Sequence, residues 1–175
     1  MRGLREVKNV SRQAARQTLL VDARQVWVDA SAERAFAPIR RIGGSNGWYY
    51  ADWLWSVRLF LDRLLGGSGR RRRRHPDQLK VGDVVDCWRV EAYEPNRRLR
   101  LALELDQPGR GWLEFQVTAN GEGSVIRQTA EYDPCGLAGR VHWFLVSPLH
   151  SLMFPGMLRR IAAHCEKDGH CRDQA

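Results

Sequence analysis

The stretch that decides the fold runs from residue 47 to residue 65 and reads GWYYADWLWSVRLFLDRLL. On a helical wheel with about 100° per residue, its large apolar side chains fall within an arc of roughly 140°. The opposite side carries Asp52, Ser56, Arg58, Asp62 and Arg63. This pattern predicts an amphipathic helix, and the segments after it have the period of strands. A helix packed on an antiparallel sheet is an α+β architecture that can enclose a cavity between its layers.

Segments with a two-residue period follow Gly82. The clearest is residues 98–105, in which alternate positions are Leu99, Leu101, Leu103 and Leu105, as expected for a half-buried strand. An earlier strand, residues 84–91, is predicted to carry on one face Val84, Asp86, Trp88 and Val90. Residues 120–123 contain the Asn-Gly signal of a tight hairpin turn. With further alternation over 112–118 and 124–132, these segments predict a four-stranded antiparallel meander.

The chain outside the meander predicts one more strand and two more helices. Leu19–Asp29 alternates as a first strand, and Ser31 is suited to cap a short helix over Ala32–Ile39. Residues 43–47, GGSNG, predict a turn, because their spacing is not the G-x-G-x-x-G of a dinucleotide-binding loop. Residues 140–166 predict a long C-terminal helix.

The positive charge is confined to two segments. The chain has 175 residues, enough for one domain with a real core, and a net charge of +8. Residues 1–16 contribute +4 and Arg70–Arg74 contribute +5, so the remaining residues sum to −1. We therefore expect a neutral domain with a basic arm and a basic loop, and no specific nucleic-acid partner.

The sequence favours a cytoplasmic location. Residues 1–20 lack the apolar core of a secretory signal, and four irregularly spaced cysteines are better explained as reduced thiols than as a disulfide framework. Val141–Leu158 contains no acidic residue, lysine or arginine over 18 residues, near the minimum for a membrane span. Because Pro148 and Pro155 interrupt it, we expect a buried, kinked core helix and no transmembrane span.

Five segments carry a resemblance to a known superfamily. They read GWYYADWLW (47–55), LKVGDVVDCWRVEAYEPNRRLRL (79–101), PGRGWLEFQV (108–117), IRQTAEYDPCGLAGR (126–140) and FPGMLRRIA (154–162). The chain resembles the SRPBCC (START-like, helix-grip) superfamily, and within it a bacterial family without an assigned function. Members of that family are often fused C-terminally to NAD(P)-binding short-chain-dehydrogenase-like domains. The resemblance implies a curved antiparallel sheet wrapped around a long C-terminal helix, with a ligand cavity between them, and association with such a reductase.

These observations together predict an α+β helix-grip fold with two helices inserted after the first strand. Residues 1–19 are expected to form a basic N-terminal arm, residues 20–166 a single ligand-binding domain, and residues 167–175 a C-terminal tail. Residues 66–76 form a flexible, arginine-rich loop within the domain. A monomer or a dimer is compatible with this organisation.

The predicted ligand site lies on the inner face of the sheet. Its wall and polar anchors are expected to be Trp53, Asp86, Trp88, Leu101, Phe115, Gln128, Tyr132, His142 and Trp143. Asp86 is the candidate catalytic residue, because a carboxylate among apolar neighbours is costly unless it is paired or functional. The alternatives for Asp86 are an ion pair with an arginine or a register that turns it to solvent. His150 is a further candidate on the C-terminal helix.

The motifs support three functions to different degrees. The most direct is binding of a small hydrophobic or aromatic ligand in the cavity. The first alternative is a cyclase- or hydratase-type enzyme that uses a pocket aspartate or histidine as general acid/base. The second is an interaction module that docks an acidic partner, RNA or an anionic membrane through its basic arm and loop. No cofactor is expected, and no metal, because the spacing of His164, Cys165, His170 and Cys171 matches no zinc pattern.

Overall fold

The computed structural model describes residues 19–43, 47–49, 79–105 and 107–170. In these ranges the strands are β1 (Leu20–Val28), β2 (Val84–Val85), β3 (Trp88–Glu94), β4 (Arg98–Leu103), β5 (Gly109–Asn120) and β6 (Gly123–Pro134). The helices are α1 (Ala32–Arg40) and α2 (Gly136–His170). The predicted N-terminal arm up to residue 18 and the arginine-rich loop lie outside the described residues.

The six strands form one antiparallel sheet in the order β1-β6-β5-β4-β3-β2. β5 and β6 pair along their full length, from Gly109 opposite Pro134 to Asn120 opposite Gly123. The predicted Asn-Gly hairpin turn is confirmed, because Gly121 in this turn has a φ of 63°, which glycine adopts without a steric penalty. α2 packs across the inner face of the curved sheet against β1, β6 and α1. The fold is therefore the expected α+β helix-grip arrangement.

α1 begins where the sequence predicts. The Ser31 hydroxyl accepts a hydrogen bond from the Arg34 backbone N–H at 3.4 Å, and Glu33 lies in the first turn, where a negative charge favours the helix dipole. The helix ends at Arg40, one residue later than expected. Its inner side buries Phe36 and Ile39 at 1% and 0% exposure, which fixes α1 to the sheet and to α2.

The core lies between the sheet and α2. The sheet contributes the fully buried Leu99, Leu101, Leu113, Phe115 and Ile126. α2 covers them with Met153, Phe154, Met157, Leu158 and Ile161. Each such side chain contributes roughly 1.5–3 kcal/mol through burial. The predicted inward face of the leucine-rich strand is therefore confirmed for Leu99 and Leu101.

The predicted strand over residues 84–91 is wrong in its continuity. β2 and β3 are two arms of a tight hairpin, with Val85 opposite Trp88 and Val84 opposite Arg89. Asp86 and Cys87 form the turn, and Asp86 has a φ of 56°, a conformation that aspartate tolerates better than most residues. Because a two-residue turn reverses the chain, Asp86 no longer shares a strand face with Trp88.

The two long predicted helices have different outcomes. Trp48 and Tyr49 lie in a turn, and Tyr49 has a φ of 62°, so the predicted helix does not include residues 47–49. Its remainder, from residue 50 to residue 65, lies outside the described residues. The C-terminal helix is confirmed, but it extends from Gly136 to His170 with Pro148 and Pro155 inside it.

α2 is not a fully buried core helix as predicted. Its outer side exposes Leu137, Val141, Phe144, Leu145 and Leu152, each at 49% or more. The physical reason is that α2 packs on a single sheet, so only one side of the helix can be covered by it. Within the described ranges, no helix combines the length and the apolar character needed to cross a bilayer.

Candidate functional site

A cavity of about 70 Å³ lies between α2 and the ends of strands β3 to β6. From α2 its wall contains His142, Trp143, Val146, Leu149, His150, Met153 and Phe154. From the strands it contains Trp88, Leu103, Gly111, Leu113, Ala130 and Tyr132. The wall is overwhelmingly apolar and aromatic, which is typical of sites for small organic ligands.

Five rings of the wall form a continuous aromatic row, made of Tyr132, His142, Trp143, His150 and Phe154. Tyr132 stacks on Trp143 with centroids 5.7 Å apart, and it lies 5.8 Å from His142. Trp143 meets His150 edge-on at 5.5 Å, and His150 stacks on Phe154 at 4.7 Å. The spacing of the four α2 residues places them on one side of the helix, so they present ring faces and edges to one ligand surface.

Tyr132 is held in place from the strand side. Its hydroxyl donates a hydrogen bond to the Pro108 carbonyl at 2.8 Å. Gly109 has a φ of 150°, and a Cβ at this position would lie only 2.7 Å from the Tyr132 hydroxyl oxygen. A glycine at residue 109 therefore permits the close approach that fixes the tyrosine ring at the edge of the cavity.

Two residues along the wall belong to the opposite side of the sheet. Trp112 pairs with Glu131 and alternates with Gly111 and Leu113, so its side chain projects from the outer face. There the Arg100 guanidinium lies 5.4 Å from the Trp112 ring and donates to Glu131 at 2.7 Å. The Glu131 carboxylate is thus part of an outer-face ion-pair network and is not a cavity acid.

The centre of that outer network is Glu114, only 7% exposed. It accepts hydrogen bonds from Arg98 at 2.9 Å and from Arg100 at 2.8 Å. Burial alone would raise the pKa of Glu114, but these two guanidinium groups outweigh it and hold the pKa below its ordinary value. The same contacts with Glu131 and Glu114 raise the pKa of Arg100 against the effect of its own burial. This network therefore stays charged and stabilises the sheet from outside the cavity.

Asp86, the candidate catalytic residue, lies outside the cavity wall. Its Oδ2 accepts a hydrogen bond from the Trp48 indole N–H at 3.0 Å, and the Trp48 ring packs 5.9 Å from the Trp88 ring. Asp86 therefore ties the turn at residues 47–49 to the β2–β3 hairpin. The expected role of Asp86 as an acid/base or ligand anchor stays a prediction, and the observed contact of its carboxylate is with Trp48.

The other predicted site residues divide into four groups. The cavity wall contains Trp88, Tyr132, His142, Trp143 and His150. Leu101 and Phe115 are 0% exposed and lie in the core, on the inner face of the sheet but outside the wall. Trp53 lies outside the described residues. Gln128 is 1% exposed and lies two residues along β6 from Ala130 of the wall.

Sequence reasoning missed several wall residues on α2, namely Val146, Leu149, Met153 and Phe154. Their signal is the helical spacing from His142, since positions three, four, seven and eight residues apart share a helix face.

Two charged residues of β1 were also not predicted from the sequence. Asp22 and Arg24 lie opposite Ala130 and Gln128 on β6, and Arg24 bonds to both carboxylate oxygens of Asp22 at 3.0 and 3.1 Å.

Of the four histidine and cysteine residues near the C-terminus, the side chain of His170 and all of Cys171 lie outside the described residues. Cys165 is buried, and its Sγ donates to the Ile161 carbonyl at 3.1 Å. His164 contacts the Tyr49 ring and hydrogen-bonds with the Arg160 carbonyl at 2.8 Å. Over the described residues, no three His, Cys, Asp or Glu side chains converge on one point.

Comparisons with known proteins identify a family and a shared fold. A family model described as "Protein of unknown function (DUF2867)" matches residues 14–157. No curated protein matches the sequence. Among solved structures, the chain is similar to the di-domain ARO/CYC StfQ from the steffimycin biosynthetic pathway, at 12% identity and a TM-score of 0.52. That match covers 91% of this chain and 55% of StfQ.

Two further solved structures are similar over nearly their whole length. Ara h 8.0201 matches at 9% identity and a TM-score of 0.47, covering 85% of this chain and 99% of that one. Protein MLL2253 from Mesorhizobium loti matches at 13% identity and a TM-score of 0.46, covering 85% and 98%. At such low identity, the likeness to StfQ shows a shared fold alone, and this chain spans little more than half of StfQ.

Proposed function

The chain belongs to the DUF2867 family of proteins of unknown function, and we propose that it binds a small hydrophobic or aromatic ligand in the cavity between the sheet and α2. The observation that carries this proposal is the aromatic row, in which five rings line a space that no side chain of the described residues fills. Stacked and edge-on rings favour a flat ligand, because aromatic pairs add about 0.5–1.5 kcal/mol to the gain from burial alone.

The size of the cavity limits how a ligand enters. About 70 Å³ is roughly half of the ~150 Å³ that encloses one benzene molecule, so a bicyclic ligand must extend through the mouth or displace wall atoms. His142, Trp143 and Leu149 are only partly buried, which leaves the mouth side accessible. Met153, an unbranched side chain in the wall, can change rotamer at little cost.

A blocking substitution tests the proposal. Ala130 is 6% exposed and lies in the wall, so Ala130→Phe fills the cavity, and Ala130→Val does so more mildly. Thr129→Phe is the matched control, since residue 129 projects from the other face of β6. Tryptophan fluorescence is titrated with oleate, progesterone and the aromatic polyketide emodin.

We expect at least one of these probes to quench wild-type protein and the Thr129→Phe control equally, and to bind at least about tenfold more weakly to both Ala130 variants. If the folded Ala130 variants bind the probe with the wild-type affinity, the proposal that the ligand binds in this cavity is contradicted. Absence of quenching by all three probes contradicts the proposed ligand class.

A second candidate function is an enzyme of the cyclase or hydratase kind, and His142 and His150 favour it. Both line the cavity and contact ring faces of the aromatic row, so either imidazole is placed to move a proton on a bound ligand. StfQ is by its name an ARO/CYC, a kind of chemistry that such a pocket can accommodate. His150→Phe keeps the ring contacts and removes the proton, so it must retain binding of a quenching probe while abolishing any turnover of it.

The remaining alternative, docking through the basic arm and loop, concerns residues outside the described ranges. The association with a short-chain-dehydrogenase-like reductase also stays a prediction. Salt-dependent binding of the protein to acidic liposomes or RNA, without quenching by any cavity probe, supports docking over ligand binding.

A further inference from the structure

Gln128 is a buried side chain whose amide group has no hydrogen-bond partner among the described residues. It is 1% exposed, and within the described chain neither its Nε2 nor its Oε1 has a hydrogen-bond partner. Burying an amide without partners is unfavourable, and more than nine-tenths of buried polar groups in folded proteins are paired. A leucine of similar volume would pack in the core without this cost, so the amide is suited to a hydrogen-bond partner that the described part of the chain does not supply.

The position of Gln128 relates it to the cavity. It lies on the same inner face of β6 as Ala130 of the wall, two residues before it in the chain. At about 3.4 Å per residue, its backbone lies about 7 Å along β6 from that of Ala130. Its cross-strand neighbours are Phe115 on β5 and Arg24 on β1. Gln128 is therefore the first polar side chain that a ligand meets on β6 when it extends inward past Ala130.

The electrostatics beside Gln128 favour a neutral ligand group. Arg24 on β1 is the cross-strand neighbour of Gln128 on β6. The Arg24 guanidinium donates hydrogen bonds to both carboxylate oxygens of Asp22. The two opposite charges compensate each other, so this pair offers no net charge to an ion. An ionised ligand group would lose its hydration without a countercharge, which is strongly unfavourable.

We propose that Gln128 binds the polar end of the ligand, and that this end is a neutral group with a hydrogen-bond donor and an acceptor side by side, such as a lactam or a primary amide. The carboxamide has an N–H donor and a carbonyl acceptor on one edge, so such a group forms two parallel hydrogen bonds with it. The apolar body of the ligand then lies along the aromatic row. This inference rests on the proposed function, whose ligand class it narrows.

Access to Gln128 requires side chains to move. Met153 lies in the wall, and Met157, one turn further along α2, is 2% exposed. Both are unbranched and can change rotamer to extend the cavity inward.

Three bicyclic probes of similar size test this inference. 2-Quinolinone carries the adjacent N–H and C=O of a lactam, quinoline carries an acceptor alone, and naphthalene carries neither. Their affinities are measured by NMR titration with wild-type protein, Gln128→Leu, and the control Gln25→Leu, which changes an exposed glutamine on the outer face of β1. The melting temperature of each variant is recorded, and the side-chain amide signal of Gln128 is followed.

We expect wild type and Gln25→Leu to bind 2-quinolinone about tenfold more tightly than naphthalene, as two added hydrogen bonds allow, with a shift of the Gln128 amide signal. Gln128→Leu must lose that preference, bind naphthalene as wild type does, and melt at a higher temperature. Naphthalene binding without a preference for 2-quinolinone overturns the role of Gln128 and leaves the proposed function standing. A lower melting temperature for Gln128→Leu with the preference retained also overturns it, since the amide then serves the fold. Binding of no probe overturns both the inference and the proposed function.

Discussion

The rings of Tyr132 on β6 and Trp143 on α2 stack nearly parallel, with 5.7 Å between their centroids and 13° between their planes. This pair joins the sheet to the C-terminal helix at the cavity. The hydroxyl of Tyr132 is anchored to the Pro108 carbonyl, so the contact sets the position of α2 relative to the strands. Both the stability of the domain and the shape of the cavity therefore depend on it.

Trp143→Leu tests the contribution of this stack. The substitution keeps an apolar side chain but removes the ring contacts to Tyr132 and His150, so we expect the free energy of unfolding to fall by about 1–2 kcal/mol. The neighbouring Phe144 is 71% exposed, and Phe144→Leu serves as the control with a change below about 0.5 kcal/mol. Urea denaturation measures both, and equal losses in the two variants would show that the stack adds nothing.

Asp86 has a structural role that substitution can separate from ligand binding. Asp86→Ala removes the acceptor for the Trp48 indole N–H and places alanine at a φ of 56°, so we expect a loss of about 1–3 kcal/mol in stability. Asp86→Asn keeps an acceptor oxygen and tolerates this φ, so its loss should be below about 1 kcal/mol. Thermal and urea denaturation check the order.

Neither Asp86 variant should change the affinity of a probe that binds the cavity. If Asp86→Asn abolished probe binding while its stability stayed at the wild-type level, the carboxylate would belong to the site after all, and the assignment to Trp48 would be wrong.

The outer-face network predicts a dependence of stability on pH. The pKa of Glu114 is lowered in the folded protein, so its contribution is fully present above the unfolded-state pKa of about 4.3 and is lost as the pH falls through the lower folded-state pKa. We expect Glu114→Gln to be less stable than wild type at pH 7 by about 1–3 kcal/mol, because Arg98 and Arg100 lose a charged acceptor. The difference between the two proteins should shrink between about pH 5 and pH 3.

Urea denaturation across this pH range measures the effect. Glu122 is exposed in the β5–β6 turn, and Glu122→Gln is a control that should follow the wild-type curve. A stability difference between wild type and Glu114→Gln that is as large at pH 3 as at pH 7 would contradict the charged network.

The sequence predicts the sheet well where one signal dominates. The leucine alternation around Leu99 and Leu101 has a single interpretation, because a shift of one residue would expose the whole apolar set. The Asn120–Gly121 turn is equally direct. The leucine alternation and this turn both follow from local sequence patterns, and the tertiary contacts are compatible with them.

The β2–β3 hairpin shows where the pattern misleads. Residues 84–91 alternate as one strand would, but Asp86 adopts a left-handed conformation and the chain reverses. Periodicity does not distinguish a continuous strand from two short arms joined by two residues, since the alternation is continued by chance through the turn. The argument for Asp86 as a catalytic residue depended on that register, and the observed hairpin removes this support.

The cavity itself depends on packing that a single sequence does not encode locally. His142, Trp143 and His150 were identifiable as α2 residues, but their contact with Tyr132 requires the angle at which α2 crosses β6. The lack of a hydrogen-bond partner for the Gln128 side chain among the described residues is likewise visible only in the structure, where its neighbours include the apolar side chains of Phe115 and Ala130.

The most direct test of the central claim is to locate a bound ring by intermolecular NOEs in a saturated complex with naphthalene. The account predicts NOEs from the naphthalene protons to the methyl groups of Leu113, Ala130, Val146 and Met153, which surround the cavity. The exposed outer side of α2 is the competing apolar surface. NOEs to Leu137, Leu145 and Leu152 instead of the cavity methyls would contradict the account.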